Sequence, residues 1–363
     1  MKILILYTYN KGLLSNFFQE LSEKLCADGF EVFNFYLKHK KERFIQNKVQ
    51  VFGEKRGNHF HNYRCIYQII SRTKPDIIIS NFSYVNPSLL FGRLLGINRN
   101  IAWFHTVYGH GKPNKQKLLT KRFFLKMAEF VIANSPLLQK EMHSIYKIPK
   151  HRTAAIPFWT NITDYRLPLN GLTIVKHPST LQIGCPGRLL ADKNHASVIK
   201  AIHALKQRTQ KTIHLYIAGD GPYKQDLEQL VSDLELNDTV TFLGLLNVPD
   251  MVAYYDAMDV VVLPSFHEAF GLVFIEAIAL GRPVLVSRAF GALNFIDTEK
   301  FPIQDFSFSP YDIPELIDKL EPYIRDADYA PNYFQAIYYD TFEKGVIYEA
   351  VKAVILNQTR ASK

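Results

Sequence analysis

The chain has 363 residues, 47% of them hydrophobic and 21% charged, so it is long enough for two domains that each bury a core. No apolar run approaches the roughly 20 residues that span a bilayer, and the opening segment MKILILYTYNKG lacks the apolar stretch and cleavage site of a signal peptide. Three widely spaced cysteines, Cys26, Cys65 and Cys185, argue against a disulfide framework and favour a reducing cytoplasm.

The charge is unevenly distributed along the chain. Residues 1–170 carry 26 Lys+Arg and 10 Asp+Glu, a net of +16, whereas residues 171–363 carry 17 and 24, a net of −7; the two sum to +9. A basic half suggests contact with a polyanion, either nucleic acid or an anionic membrane.

Short β-rich runs alternate with helix-length segments throughout the chain. In the first half we predict strands at 3–7, 31–37, 49–52, 76–81, 101–105 and 130–134, with helices at 15–27 and 136–146. In the second half we predict strands at 181–186, 213–218, 240–243, 260–264 and 283–287, with helices at 196–208, 223–234, 248–258 and 272–280. The alternation occurs twice, which predicts two α/β domains with parallel sheets covered on both faces.

The domain organisation follows from these runs. We expect a first domain over 1–165, a linker over 166–180 that is rich in Pro and Gly, and a second domain over 181–340. Apolar residues at helical spacing predict one helix over 338–356, in a C-terminal segment, 341–363, that has the option of crossing back to the first domain. Ligands of parallel sheets bind at the carboxyl ends of the strands, so two such domains face to face would form a cleft.

Two cations follow the strand predicted at 181–186. Arg188 and Lys193 lie in the segment GRLLADKN, before a helix that begins near Asn194. Two cations at a strand end form a good anion site, although a solvated charge pair would look the same.

A glycine-rich turn, GDGP, follows the strand predicted at 213–218. Gly219 and Gly221 permit close approach of a ligand to the backbone, and Pro222 suits the first turn of a helix. A plain strand-to-helix turn explains the pattern equally, and the chain has neither a dinucleotide fingerprint nor a P-loop.

The segment HEAFGLVFIEAIALGRPVLVS places two carboxylates in apolar surroundings. A helix that begins near Gly271 presents free N–H groups and a positive dipole end, which suits a phosphate. Glu268 precedes this helix and Glu276 lies inside it. Carboxylates beside a diphosphate make sense if they accept hydrogen bonds from hydroxyls, and a nucleotide sugar offers both groups. The alternative for Glu276 is a buried salt bridge to Arg282 or Arg288.

Taken together, GRLLADKN, GDGP, FLG and the two-glutamate segment occur in order over 181–291 and resemble the retaining glycosyltransferases of family four, whose hallmark is two glutamates eight residues apart. The first half resembles the family more weakly: AWFHT is similar to its acceptor-domain strand ending in His, and FVIANSPLLQKEM to its strand, Asn-Ser, helix step. The chain departs from the family where a Gly-Gly pair is usual, with Gly12 alone, and where a Glu is usual, with Asn294.

The resemblance implies the GT-B fold, two Rossmann-like parallel-sheet domains facing across a cleft, and it implies site residues. Arg188 and Lys193 would hold the donor diphosphate, Glu276 the nucleotide ribose and Glu268 the donor sugar. His105 and Gly12 would lie on the acceptor side, with His105 near the sugar, so the expected catalytic groups are Arg188, Lys193, Glu268 and His105. The donor site would be completed by backbone at Gly187, Gly219, Gly244, Phe270, Gly271 and Leu272, with Gly244 near the base.

The implied function is retaining transfer of a sugar from a nucleoside-diphosphate sugar, with uridine favoured by family frequency. The acceptor would be a hydroxyl of a glycan or lipid-linked glycan in bacterial surface polysaccharide assembly, such as lipopolysaccharide. We expect no metal or other cofactor and no nucleic-acid partner, and a cytoplasmic location, peripheral on the inner face of the membrane. The alternatives are a sugar-nucleotide epimerase or hydrolase of the same fold, and a non-catalytic basic nucleic-acid-binding protein.

A basic segment, 112–130, bears on the membrane partner. Read as a helix, it repeats Leu119, Phe123 and Met127 at four-residue spacing. The twelve residues 115–126 carry five of its cations, Lys115, Lys117, Lys121, Arg122 and Lys126. Such a helix can lie on anionic lipid. We nevertheless expect its apolar face to pack on the domain's own sheet, with the cations free to attract a membrane.

Overall fold

The computed structural model describes residues 1–10, 13–105, 115–165, 172, 174–177, 179–326, 329 and 331–357. The chain divides into two compact units, one formed by Met1–Trp159 with Lys344–Lys363 and the other by Thr160–Glu343. About half of the linker predicted at 166–180 lies outside the described residues.

The first unit contains an eight-stranded sheet in the order β3-β4-β2-β1-β5-β6-β7-β8, parallel except for the β3–β4 pair. Its strands are β1 (Lys2–Leu6), β2 (Glu31–Lys38), β3 (Glu42–Gln46), β4 (Val49–Lys55), β5 (Ile77–Asn81), β6 (Arg99–Phe104), β7 (Phe130–Ala133) and β8 (Thr153–Ala155). Its helices include α1 (Leu13–Ala27), α2 (His59–Thr73), α3 (Val85–Leu94), α4 (Lys115–Leu125) and α5 (Pro136–Ser144). The central strand β1 is apolar from Ile3 to Leu6 because both faces of the sheet are covered.

The sequence missed β3 and β8 for a physical reason. Strand β3 forms an antiparallel edge hairpin whose residues alternate between half-buried and exposed, so it lacks the apolar run of a central strand. Strand β8 has three residues at the opposite edge.

The second unit contains a six-stranded sheet in the order β11-β10-β9-β12-β13-β14, and every neighbouring pair is parallel. Its strands are β9 (Thr180–Pro186), β10 (Thr212–Ala218), β11 (Val240–Gly244), β12 (Val260–Leu263), β13 (Val284–Ser287) and β14 (Ser307–Phe308). Its helices are α6 (His195–Lys206), α7 (Lys224–Asp233), α8 (Val248–Ala257), α9 (Leu272–Ala279), α10 (Ile313–Arg325) and α11 (Phe334–Ile337). The expectation of two Rossmann-like α/β domains is therefore confirmed.

The C-terminal segment differs from the single helix predicted over 338–356. A π-helical turn, Tyr338–Phe342, is followed by an extended residue, Glu343, and only then by α12 (Lys344–Ile355). Helix α12 belongs to the first unit, where Tyr348 Oη donates to Asp28 at 2.7 Å and Lys344 Nζ donates to Glu20 at 3.0 Å. Helical spacing alone did not reveal the break, because apolar residues continue on both sides of it.

Helix α4 also differs from expectation. Leu119 and Phe123 are 64% and 59% exposed, so the predicted packing is wrong for these two residues. Met127 packs against the core as predicted, together with Leu118 and Phe124, and Leu125 is buried in it. Among the helices of the described residues, none combines the length and apolar character that a bilayer-spanning segment requires.

Candidate active site in the second unit

The loops that follow β9 and β10 contact each other through their backbones. Gly187 N–H donates to Ala218 O at 2.8 Å, and Leu189 N–H donates to Asp220 O at 3.0 Å. A Cβ on Gly219, whose φ is +144°, would lie 1.9 Å from Gly187 O. Gly219 in the GDGP turn therefore allows the neighbouring loop, which carries Arg188, to approach closely. The sequence did not reveal this role.

The predicted cations lie in different surroundings within this loop. Arg188 is exposed, and its guanidinium contacts no hydrogen-bonding partner among the described residues. Lys193 Nζ lies 2.6 Å from Glu268 Oε2, with the side chains 21% and 20% exposed. The structure therefore brings together Lys193 and Glu268, from the ends of the adjacent strands β9 and β12. An ammonium has three donors, so this pair leaves Lys193 able to bind a further anion.

Asn194 connects three strand ends, and its sequence position as a helix start did not predict these contacts. Its backbone is left-handed, with φ +58°, which asparagine tolerates better than most residues. Its side-chain amide donates to Pro264 O at 3.2 Å and to Pro310 O at 3.0 Å, after β12 and β14. An Asn at a predicted helix start was the one signal available, but its partners lie 70 and 116 residues away.

Helix α9 begins directly after Gly271, where both the backbone conformation and the surroundings disfavour a side chain. Gly271 has φ +103°, and a Cβ there would lie 2.2 Å from Phe290 Cδ1. Phe270 before it is buried. The N–H groups of Leu272 and Val273 find no acceptor within the described part of the chain, as the first turn of a helix dictates. This helix end is a positive, open donor array that follows strand β12.

Glu276 is a buried carboxylate without a cation. It is 3% exposed, and Tyr255 Oη donates to its Oε2 at 2.9 Å. The salt-bridge alternative is wrong, because Arg282 lies 3.7 Å from Asp256 and Arg288 lies 2.6 Å from Glu315. Burial raises the pKa of Glu276 to about 7, against the opposing effect of the Tyr255 hydrogen bond. Nothing in the sequence identified Tyr255, which lies on another helix.

This raised pKa predicts a pH-dependent cost. Between about pH 4.5 and pH 7 the folded protein keeps the Glu276 proton that the unfolded chain loses, so stability from this group falls as pH rises. The Glu276→Gln side chain cannot ionise. As pH rises through this window, we expect the free energy of unfolding of the variant to increase relative to that of wild type, by roughly 3 kcal/mol at most. Amide hydrogen exchange in α9 of both proteins, followed from pH 4.5 to pH 8 and corrected for the intrinsic exchange rate at each pH, measures this difference, and parallel curves would contradict the raised pKa.

The remaining predicted donor residue, Gly244, ends strand β11. Its carbonyl accepts the Gly219 N–H at 2.8 Å, its φ is +70°, and a Cβ there would meet open space. Its place near a nucleotide base stays a prediction.

The acceptor-side residues belong to the first unit. His105 follows β6, with its ring stacked 4.6 Å from Phe82 and 5.4 Å from Phe158. Both ring nitrogens are buried without a partner in the described residues, and burial lowers the pKa of His105 to about 3. The ring is therefore neutral near pH 7 and can bind a hydroxyl but cannot act there as an acid. Gly12 lies outside the described residues.

Asn294, which stands where the family usually has a glutamate, lies in the second unit and donates its side-chain amide to Gly291 O at 3.3 Å.

The predicted donor-site residues do not form an obvious metal site. Their charged side chains are two cations, Arg188 and Lys193, and two glutamates, Glu268 and Glu276. One Asp-x-Asp sequence, a pattern that can hold a divalent metal, does occur at Asp326–Asp328, but it follows helix α10 rather than a strand, and Ala327 and Asp328 lie outside the described residues. Metal independence stays a prediction.

Comparisons with known proteins agree with this architecture. Residues 14–162 match the model of the family described as Glycosyltransferase Family 4, and residues 175–338 match that described as Glycosyl transferases group 1. An uncharacterized glycosyltransferase of Methanocaldococcus jannaschii is 31% identical over 199 residues, 52% of this chain and 50% of its own. The D-inositol 3-phosphate glycosyltransferase of Pseudarthrobacter chlorophenolicus is 39% identical over 117 residues, 31% of this chain and 28% of its own. The chain thus spans half or less of the length of these curated relatives.

Solved structures match over nearly the whole chain. HepE of Anabaena in complex with UDP has a TM-score of 0.79 at 18% identity, covering 98% of this chain and 100% of its own. A sucrose-phosphate synthase of Thermosynechococcus elongatus has a TM-score of 0.78 at 19% identity, covering 99% and 100%. With both family models matched in chain order and both parallel sheets present, the chain belongs to the family-4 type of glycosyltransferases and has the GT-B fold.

Proposed function

We propose that this protein is a retaining, metal-independent glycosyltransferase that moves a sugar from a nucleoside-diphosphate sugar to a hydroxyl of a glycan or lipid-linked glycan. The observation that carries the proposal is the Lys193–Glu268 pair, which forms after the adjacent parallel strands β9 and β12. Arg188 follows β9 in the same loop as Lys193, and the open N-terminus of α9 follows β12. This set suits a ligand that combines a diphosphate with sugar hydroxyls.

The mechanism we propose is electrostatic. As the glycosidic C–O bond breaks, negative charge grows on the leaving diphosphate, where Arg188, Lys193 and the α9 N–H groups stabilise it. The acceptor hydroxyl attacks from the face that the diphosphate leaves, which retains the anomeric configuration, and the leaving phosphate takes the hydroxyl proton. Glu268 accepts from donor-sugar hydroxyls, and Glu276 from the ribose.

The relatives support particular substrates. HepE of Anabaena is solved with UDP and with UDP-glucose, which favours a uridine donor here. The structural neighbours include WaaB, a lipopolysaccharide outer core galactosyltransferase, and WaaG, a glycosyltransferase involved in lipopolysaccharide biosynthesis. We therefore place the acceptor in bacterial surface polysaccharide assembly, on the cytoplasmic side of the membrane.

The decisive experiment is a screen of sugar nucleotides for diphosphate release, with and without a bacterial membrane extract and with or without chelator. Acceptor-dependent release that chelator does not slow supports the proposal, and NMR of the product tests retention at the anomeric carbon. Acceptor-independent release or an isomerised donor would favour a hydrolase or epimerase instead. Nucleic-acid binding in a gel shift, with no donor turnover, would favour the non-catalytic alternative.

Helix α4 supports a membrane-bound acceptor. Leu119 and Phe123 lie one turn apart and are exposed. Lys115 and Lys117 are exposed on the same helix, and Lys126 is exposed directly after it. An apolar pair among cations is the pattern of a helix that rests on anionic lipid.

We expect the protein to sediment with anionic vesicles at low salt and not with neutral ones. Each cation near the surface contributes about 1 kcal/mol, and the attraction fades as the Debye length falls from about 10 Å at 0.1 M salt to about 3 Å at 1 M. Changing Lys115, Lys117 and Lys126 to Glu should abolish binding and leave donor affinity intact. Failure to bind anionic vesicles at low salt would remove the membrane and indicate a soluble acceptor.

A further inference from the structure

A cavity of about 370 Å³ opens in the first unit where strands β5 and β6 end. Its volume lies at the lower end of the roughly 300–1,000 Å³ typical of small-ligand sites. The walls are aromatic and apolar with a few polar groups, and they include Phe82, Ser83, Asn86, Phe104, His105 and Lys121. This composition suits a small ligand that has both an apolar face and polar substituents.

Phe82 is held in a conformation that phenylalanine rarely adopts. Its φ is +52°, in the left-handed region, and the ring stacks on His105 while the residue remains 45% exposed. Such backbone strain persists only where the surroundings fix it, and it clusters at ligand-binding sites. An aromatic ring displayed in this way offers a platform on which the C–H face of a sugar ring is removed from water.

Lys121 gives the same cavity a positive charge. The side chain is partly buried, its Nζ lies 5.2 Å from the Phe104 ring centroid, and no carboxylate of the described residues lies within ion-pair distance. Burial, and secondarily Lys117, lowers the pKa of Lys121, which registers the cost of holding this charge without an anion. A ligand anion would offset that cost.

We propose that this cavity binds an acidic sugar of the acceptor, with the sugar ring on Phe82, a hydroxyl on the neutral His105, and a phosphate or carboxylate on Lys121. That the bound sugar is part of the acceptor rests on the proposed function, whereas the existence of the sugar-binding site does not. The shared chemistry is an anionic sugar, so sugar phosphates and uronic acids are both candidates.

Calorimetric titration of the full chain tests this with glucose 1-phosphate, glucose 6-phosphate and glucuronate, each compared with methyl glucoside. We expect at least one acidic sugar to bind at least tenfold more tightly than the neutral one. Lys121→Gln should remove that preference and Lys121→Arg should keep it. Lys126→Gln, an exposed lysine on the following turn, is the matched control and should change nothing.

Phe82 is tested separately. Phe82→Asn removes the ring while supplying a residue that adopts positive φ readily, so the fold should survive, which a melting curve checks. We expect this substitution to lower the affinity for acidic and neutral sugars alike by at least tenfold and to leave the affinity for inorganic phosphate unchanged.

Several outcomes would overturn the proposal: equal affinity for acidic and neutral sugars, no measurable binding of any acidic sugar, a preference that survives Lys121→Gln, or an equal loss in Lys126→Gln. These titrations need no donor. If no sugar nucleotide is turned over but acidic-sugar binding depends on Lys121, the proposed function fails and the site stands. If a sugar nucleotide is turned over but acidic-sugar binding does not depend on Lys121, only the site is removed.

Discussion

Replacing Arg188 by alanine should lower the rate of sugar transfer by about 100- to 1000-fold, the usual loss when one preorganised group that stabilises transition-state charge is removed. The variant should remain folded, because the side chain is exposed and its guanidinium has no partner in the described structure to leave unsatisfied. The loss should therefore appear in kcat with an unchanged melting temperature. Turnover near wild type in a folded Arg188→Ala protein would remove this residue from the mechanism.

Lys193→Ala should cost a similar factor, but its interpretation needs a second variant. Removing the ammonium leaves Glu268 without the partner that lies 2.6 Å away, so a loss could reflect a displaced Glu268. Glu268→Gln alone and the double variant Lys193→Ala, Glu268→Gln separate the two effects in a double-mutant cycle. If Lys193 stabilises the diphosphate directly, its removal should still slow transfer in the Glu268→Gln background. If the double variant transfers sugar as fast as Glu268→Gln alone, Lys193 only positions Glu268.

Both domains and the donor-site segments were predictable because their signals are local. Strands β9, β10 and β12 are short apolar runs that end in turn residues, and the motif residues follow them directly in the chain. The grouping of Lys193 with Glu268 also follows from the sequence once a parallel sheet is assumed, because both residues follow the ends of strands in one sheet.

What the sequence could not reveal depends on contacts that no local pattern encodes. The partner of Glu276 is Tyr255, on the preceding helix, whereas charge alone suggested Arg282 or Arg288. The exposure of Leu119 and Phe123 depends on which face α4 turns to the sheet, and its apolar residues occur on more than one face, so their spacing does not decide it. The strained backbone of Phe82 had no sequence signal at all, since phenylalanine at positive φ is rare.

Gly219→Ala should be the most damaging single-methyl change in the donor site. The new Cβ would lie 1.9 Å from Gly187 O, a backbone atom whose own residue is fixed by the Gly187 N–H bond to Ala218 O at 2.8 Å. Gly219 also has φ +144°, outside the range of an ordinary side chain. Backbone strain of about 1–3 kcal/mol and overpacking of about 1–3 kcal/mol together predict a loss of a few kcal/mol, with the Arg188 loop displaced.

Gly244→Ala is the matched control, because Gly244 ends the neighbouring strand and its carbonyl bonds to Gly219 N–H, yet a Cβ there meets open space. Its φ of +70° should cost about 1–2 kcal/mol with no clash. Because a chain of two units need not unfold in one step, amide hydrogen exchange in β9 and β10 is the right measurement, together with donor affinity. We expect Gly219→Ala to lose protection in both strands and to lose donor binding, and Gly244→Ala to keep most of both. Equal behaviour of the two variants would mean that the close approach of the two loops is not what requires glycine at 219.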